Sequence, residues 1–220
     1  MTKLGKALRL AVGGVALSVV AITMAGAAPA PPKTSTCAAC HGADGLGNAG
    51  AGYPALAGLP APYLEQQLYS FKHGTRENVM MTAIAKGLNA DDRKAIAAYY
   101  AGLNVPVKAE PKPLPDGTGA ALALDGAWGH VTTGVPSCDS CHGPYGVGVG
   151  AAFPRLAGQP ANYLAAQLKD WRAGSRKNDP LHLMRNVARK LSPAQISAVA
   201  AYYAALSPNP PPAPPAKGGK

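Results

Sequence analysis

The stretch CAACHG at residues 37–42 returns as CDSCHG at residues 138–143, and the two copies contain all four cysteines of a 220-residue chain. Each pair of thiols is separated by two residues, and each is followed at once by a histidine, His41 or His142. The rest of the chain can be read outward from this coincidence.

Aligning the two motifs also aligns much of the chain downstream of them. Leu56-Ala57-Gly58 pairs with Leu156-Ala157-Gly158, and Tyr63-Leu64 with Tyr163-Leu164. Gln67-Leu68 pairs with Gln167-Leu168, and Arg76 with Arg176. AAYYAGL at residues 97–103 matches AAYYAAL at residues 200–206. A repeat this long and present twice is a duplicated domain, whereas a solenoid stacks shorter and more numerous units. The boundaries read from it are a copy at 31–104, a proline-bearing exposed linker at 105–119, a copy at 120–206, and a proline-rich, extended or disordered tail at 207–220.

Residues 1–30 carry Lys3, Lys6 and Arg9 ahead of an apolar run. That run ends in Ala25-Gly26-Ala27 and Ala28-Pro29-Ala30, the pattern of an export leader. Cleavage is the favoured reading and a retained N-terminal anchor, with membrane association, its rival. Either places the folded part outside the cytoplasm, in the periplasm, where disulfides compete for cysteines.

Each copy reads as helical, with no convincing strand alternation. Tyr63, Leu64, Gln67, Leu68 and Phe71 form an apolar stripe repeated as Tyr163, Leu164, Gln167, Leu168 and Trp171. Asn89 to Asp92 and Ser192 to Gln195 have capping-box spacing, with Pro193 at a first helical position. Glycine-rich loops follow each histidine and let the backbone pass close to something flat and bulky.

Three common uses of paired cysteines fail to account for the histidine. A zinc site sharing thiolates between the copies leaves it without a role. A redox-active pair expects a βαβ setting. Local disulfides give no reason for a histidine in the same place twice. Covalent haem attachment explains all of it: Cys37 with Cys40, and Cys138 with Cys141, form thioethers to one haem each, and His41 and His142 bind the irons.

The second axial ligand is sought at matched positions. Met81 and Met184 each lie between the two helices of their copy, seven residues before Leu88 and Leu191. A thioether suits a low-spin iron and raises its potential relative to a second imidazole. Met80 is the neighbouring competitor. His73, His130 and His182 have no equivalents in the other copy and read as surface or outer histidines. The carbonyls of Pro54 and Pro154 are candidate acceptors for the second ring nitrogen of His41 and His142, with a purely turn-forming role equally open. Arg76 and Arg176 are read either as partners of haem propionates or as solvated loop residues.

Formal net charge is +10, unevenly spread. Residues 31–109 hold seven basic against five acidic residues, and residues 110–220 eleven against six. The later copy is the expected docking surface for an acidic redox partner. No basic stripe is interleaved with aromatics, which argues against nucleic acid.

With its tandem CxxCHG, its LAGxP and YLxxQL segments, its placed methionines and its AAYYA endings, the sequence resembles the dihaem cytochrome c4 family over residues 37–103 and 134–206. The resemblance implies an all-α fold of two tandem cytochrome c-like domains related by a pseudo-twofold axis. It also implies two covalently bound haem c groups, each with His/Met ligation. Members carry electrons in the periplasm, often membrane-associated, towards a terminal oxidase. The few residues between the leader and Cys37 lead one to expect a short or absent first helix in copy one.

The function expected is electron carriage between a respiratory donor and an acceptor, and not an enzyme. A dihaem peroxidase or thiosulfate-oxidising enzyme needs an open iron, which two equivalent methionines oppose. A cytochrome subunit of a dehydrogenase shares the chemistry and differs only in its partner.

Overall fold

The computed structural model describes residues 29–107, 115–127 and 134–209. The leader up to residue 28, His130, and the tail from residue 210 lie outside the described residues. Among the described residues there are helices and isolated β-bridges but no strands, and no helix is long and apolar enough to cross a membrane.

Copy one is built from α1 (Thr34–His41), α2 (Ala61–Lys72), α3 (Val79–Lys86) and α4 (Ala90–Ala101). Copy two follows as α5 (Gly117–Leu124), α6 (Asp139–His142), α7 (Ala161–Ala173), α8 (Leu183–Lys190) and α9 (Pro193–Ala205). The paired elements are α2 with α7, α3 with α8 and α4 with α9. Clear start signals head α4 and α9. Asn89 accepts the Asp92 N–H while Asp92 accepts the Asn89 N–H, a closed capping box at the head of α4. Ser192 and Gln195 do the same for α9, with Pro193 at the first position. Such caps contribute about 1 kcal/mol each.

The helices bury the stripes read from the sequence. Leu64, Leu68, Ile96, Ala97 and Tyr100 form the centre of copy one, between α2 and α4. Leu164, Ile196, Val199, Ala200 and Tyr203 do so in copy two, where α7 meets α9. Copy two has a larger core because α5 adds Leu122 and Ala123. The helix α5 starts at Gly117, inside the stretch read as an exposed linker, and Gly119 is buried against α9. A Cβ at Gly119 would meet the Ala198 carbonyl oxygen at 2.4 Å, so only glycine permits this approach.

The copies join around a near-twofold seam. Glu77 N–H donates to the Ser175 carbonyl at 3.0 Å and Lys177 N–H to the Thr75 carbonyl at 2.7 Å, placing Arg76 opposite Arg176. Gln159 adds a two-way amide pair with the backbone of Ala55, at 2.9 Å in each direction. The start of the tail is also engaged: Ser207 is buried and Asn209 donates to the Val105 carbonyl at 3.1 Å. Residues 207–209 therefore belong to the folded body and not to an extended tail.

Candidate haem sites

Both motif histidines are buried, and each is tied at one nitrogen. His41 Nδ1 donates to the Pro54 carbonyl and His142 Nδ1 to the Pro154 carbonyl, both at 2.8 Å. A carbonyl only accepts, so the ring proton is on Nδ1 and the Nε2 lone pair is left to bind a metal. Burial holds both histidines below their usual pKa, which keeps that lone pair available. The two prolines are thus acceptors for the imidazoles, the first of the two readings.

The cysteines are partly buried and unbonded to one another. Burial pushes the Cys37 thiol up and the Cys138 thiol up to about 11, opposite to the thiolate character of a redox-active pair. No three His, Cys, Asp or Glu side chains converge as a metal-ion cluster among the described residues, which sets aside the shared zinc site. The second tyrosine of each AAYY run faces the first cysteine of its motif, Tyr100 toward Cys37 and Tyr203 toward Cys138. Gly45 and Gly146 lie under those rings, where a Cβ would meet Tyr100 at 2.9 Å and Tyr203 at 2.5 Å. The flat neighbour closest to these loop glycines is therefore a tyrosine.

In copy one a cavity of about 520 Å³ opens beside the motif, within the range of cofactor sites. Cys37, Cys40 and His41 line it, and Met80 and Met81 line it too. Met81 packs against the core of copy one and its N–H is fixed to the Asn78 side chain at 3.0 Å, whereas Met80 is 49 % exposed. In copy two Met184 is half-buried in the first turn of α8. Asp179 pins that turn, accepting from the Arg185 N–H at 2.9 Å and from Arg185 Nε at 2.8 Å. His73 is exposed and stacked on Tyr69 with ring centroids 4.1 Å apart, and His182 is exposed.

The cavity continues to the seam, where Arg76 lines it together with Tyr163, Gln167 and Asp170 of the other copy. Arg76 and Arg176 are 6 % and 4 % exposed, so they are not solvated loop residues. Arg76 donates to Gln67 at 3.0 Å, Gln167 at 2.6 Å and Tyr163 at 3.0 Å. Arg176 donates to Gln167 at 2.9 Å, Gln67 at 3.1 Å and Tyr63 at 3.5 Å. These partners are all neutral. Burial, and then the adjacent Arg76 charge, pull Arg176 below its usual pKa. Arg176 also stacks 3.8 Å above the Trp171 ring, and the buried Trp171 Nε1 has no hydrogen-bond partner.

A covalently held porphyrin fits these residues on three counts. The cavity is lined by both thiols and a free imidazole nitrogen. Two buried guanidiniums hydrogen-bond only neutral groups and share a single nearby carboxylate, Asp170, so a haem propionate would find a positive surplus there. An orphan indole N–H points to an acceptor that the protein itself does not provide. Sequence reasoning did not reach Trp171, Asp179, Gln67 or the tyrosine hydroxyls as polar partners, although the matched Gln67/Gln167 and Tyr63/Tyr163 were the signal that could have led to the last two.

The cytochrome c family pattern matches residues 33–104 and 130–207. The chain is 50 % identical over 187 residues to the thiosulfate dehydrogenase electron acceptor of Thiomonas intermedia, covering 82 % of this chain and 84 % of that protein. It resembles the solved thiosulfate dehydrogenase of Marichromatium purpuratum with a TM-score of 0.71 and 42 % identity, over 78 % of this chain and 36 % of that one. It resembles reduced cytochrome c4 of Pseudomonas stutzeri with a TM-score of 0.69 and 37 % identity, over 79 % of this chain and 95 % of that one. The chain belongs to the dihaem cytochrome c4 family: it is an electron-transfer cytochrome with two tandem cytochrome c domains and two covalently bound haem c groups.

Proposed function

We propose that the chain accepts electrons from a thiosulfate-oxidising dehydrogenase in the periplasm and delivers them to a respiratory acceptor such as a terminal oxidase. The observation that carries this reading is the 50 % identity to a thiosulfate dehydrogenase electron acceptor along 82 % of the chain. Each haem, when bound, takes up and releases one electron at its iron.

The protein's part is to hold and tune. Cys37, Cys40, Cys138 and Cys141 anchor the two groups as thioethers. His41 and His142 supply Nε2, oriented by Pro54 and Pro154. Met81 and Met184 would each supply a thioether sulfur to hold the iron of their copy; for Met81 this is supported by its place in the cavity wall, and for Met184 by its register. Val79, 94 % exposed, precedes Met80 and Met81 at the cavity and offers apolar contact to a partner. Beyond Arg185, which Asp179 neutralises, the helix α8 carries Arg189 and Lys190 where α3 has only Lys86, which supports docking of an acidic partner on copy two.

The test is to mix oxidised holoprotein with a thiosulfate dehydrogenase and thiosulfate and to follow haem absorbance. Reduction of both haems only when the enzyme is present is the expected result. Reduction by thiosulfate alone would make the chain an oxidising enzyme, and no reduction in the full mixture would remove the proposed donor.

A further inference from the structure

The seam holds another buried cation, Arg155, which is not among the residues that line the copy-one haem cavity. Arg155 directly follows Pro154 and is 7 % exposed. Its guanidinium donates to the Ala57 carbonyl at 2.9 Å, across the seam, and to the Ala157 carbonyl at 3.4 Å. Both are neutral acceptors, and no carboxylate forms an ion pair with it among the described residues. Burial lowers its pKa to about 10, and nothing of opposite charge offsets the shift. Copy one has Ala55 at the equivalent position, so the repeat alone does not require an arginine there. A buried guanidinium without a counter-charge is costly.

Arg155 also lines a second cavity, of about 290 Å³, between the copies. Leu46 and Ala55 of copy one and Pro106 just after it close one side, and Gly158 and Leu206 of copy two and Pro208 just after it close the other. Among the described residues, no acidic side chain is in its wall. Asp44, two residues from Leu46, is turned back onto the Leu46 N–H at 3.0 Å. The space is therefore partly enclosed, free of negative charge and served by a guanidinium with N–H donors to spare.

We propose that this cavity binds a small oxyanion of the sulfate or phosphate type, with Arg155 as its charged ligand. The anion supplies the missing counter-charge. Because its walls come from both copies, binding there favours the docked arrangement over a separated one.

The experiment is calorimetric titration of the full holoprotein with sodium sulfate at constant ionic strength, paired with thermal unfolding over the same sulfate range. Wild type is expected to show saturable heat at one sulfate per chain and a rising Tm. Arg155→Met is expected to weaken binding at least tenfold, and Arg155→Lys to keep part of it. Gln159→Ala removes the neighbouring seam tether, to Ala55, but leaves the charge, and is expected to keep sulfate binding. Non-saturable heat in wild type, or an Arg155→Met titration matching wild type, overturns the proposal. So does loss of binding in Gln159→Ala equal to that in Arg155→Met, which would assign the effect to seam loosening.

Discussion

At the scale of single residues, the two copies differ most usefully beside the haem sites. Replacing Met184 by His exchanges a soft thioether for an imidazole. The haem of copy two is expected to stay attached through Cys138 and Cys141 while its potential falls by at least about 0.1 V, part of the roughly 0.8 V that axial ligands span. Redox titration checks this, and an unchanged potential at both haems would reject Met184 as a ligand. Trp171 corresponds to Phe71 in copy one, where Arg76 lies 4.5 Å above the ring. Trp171→Phe removes the orphan indole N–H, and a propionate held there would then be less neutralised, which would favour ferric iron. A drop of up to about 60 mV in copy two alone, a tenfold change for a one-electron couple, is the expected reading. The candidate ligands could be proposed from the sequence because the repeat supplied a matched position for each. The Trp171 N–H could not, because its lack of a partner is a property of burial and not of spacing.

At the scale of elements, the sequence announced α2, α4, α7 and α9 through apolar stripes and capping signals, and local chemistry was enough to place them. It did not announce α5. The run from Asp116 onward is short, rich in Gly and Ala, and sits beside prolines, so it reads as linker. What makes it helical in the fold is tertiary: Leu122 and Ala123 are buried in the core of copy two, and Gly119 lets the helix lie against the Ala198 carbonyl. Gly119→Ala is a sharp probe of that contact. In an exposed helix the change would stabilise by up to about 1 kcal/mol. Here the added methyl forces α5 away from α9, and the expected outcome is destabilisation by about 1–3 kcal/mol in thermal unfolding of the holoprotein. A gain in Tm would mean that α5 does not pack as described.

At the scale of the whole molecule, the seam was the least legible part. Its bonds join residues about a hundred positions apart, such as Gln159 with Ala55 and Arg155 with Ala57. The repeat even argued against them, because copy one has Ala55 and Leu59 where copy two has Arg155 and Gln159. Such asymmetric tethers serve contact between copies and leave no periodic trace. The matched Arg76 and Arg176 were visible, but only the fold shows them face to face, sharing Gln67 and Gln167. Asp170 is the one carboxylate that acts on both guanidiniums, so the pair leaves a positive surplus buried at the seam. Electron carriage by this chain depends on the haem attachments, and denaturing intact-mass spectrometry of natively exported protein tests them most directly. The predicted result is one species at the mass of the polypeptide plus two haems, stable to unfolding. Polypeptide mass alone, or a single haem per chain, would contradict it.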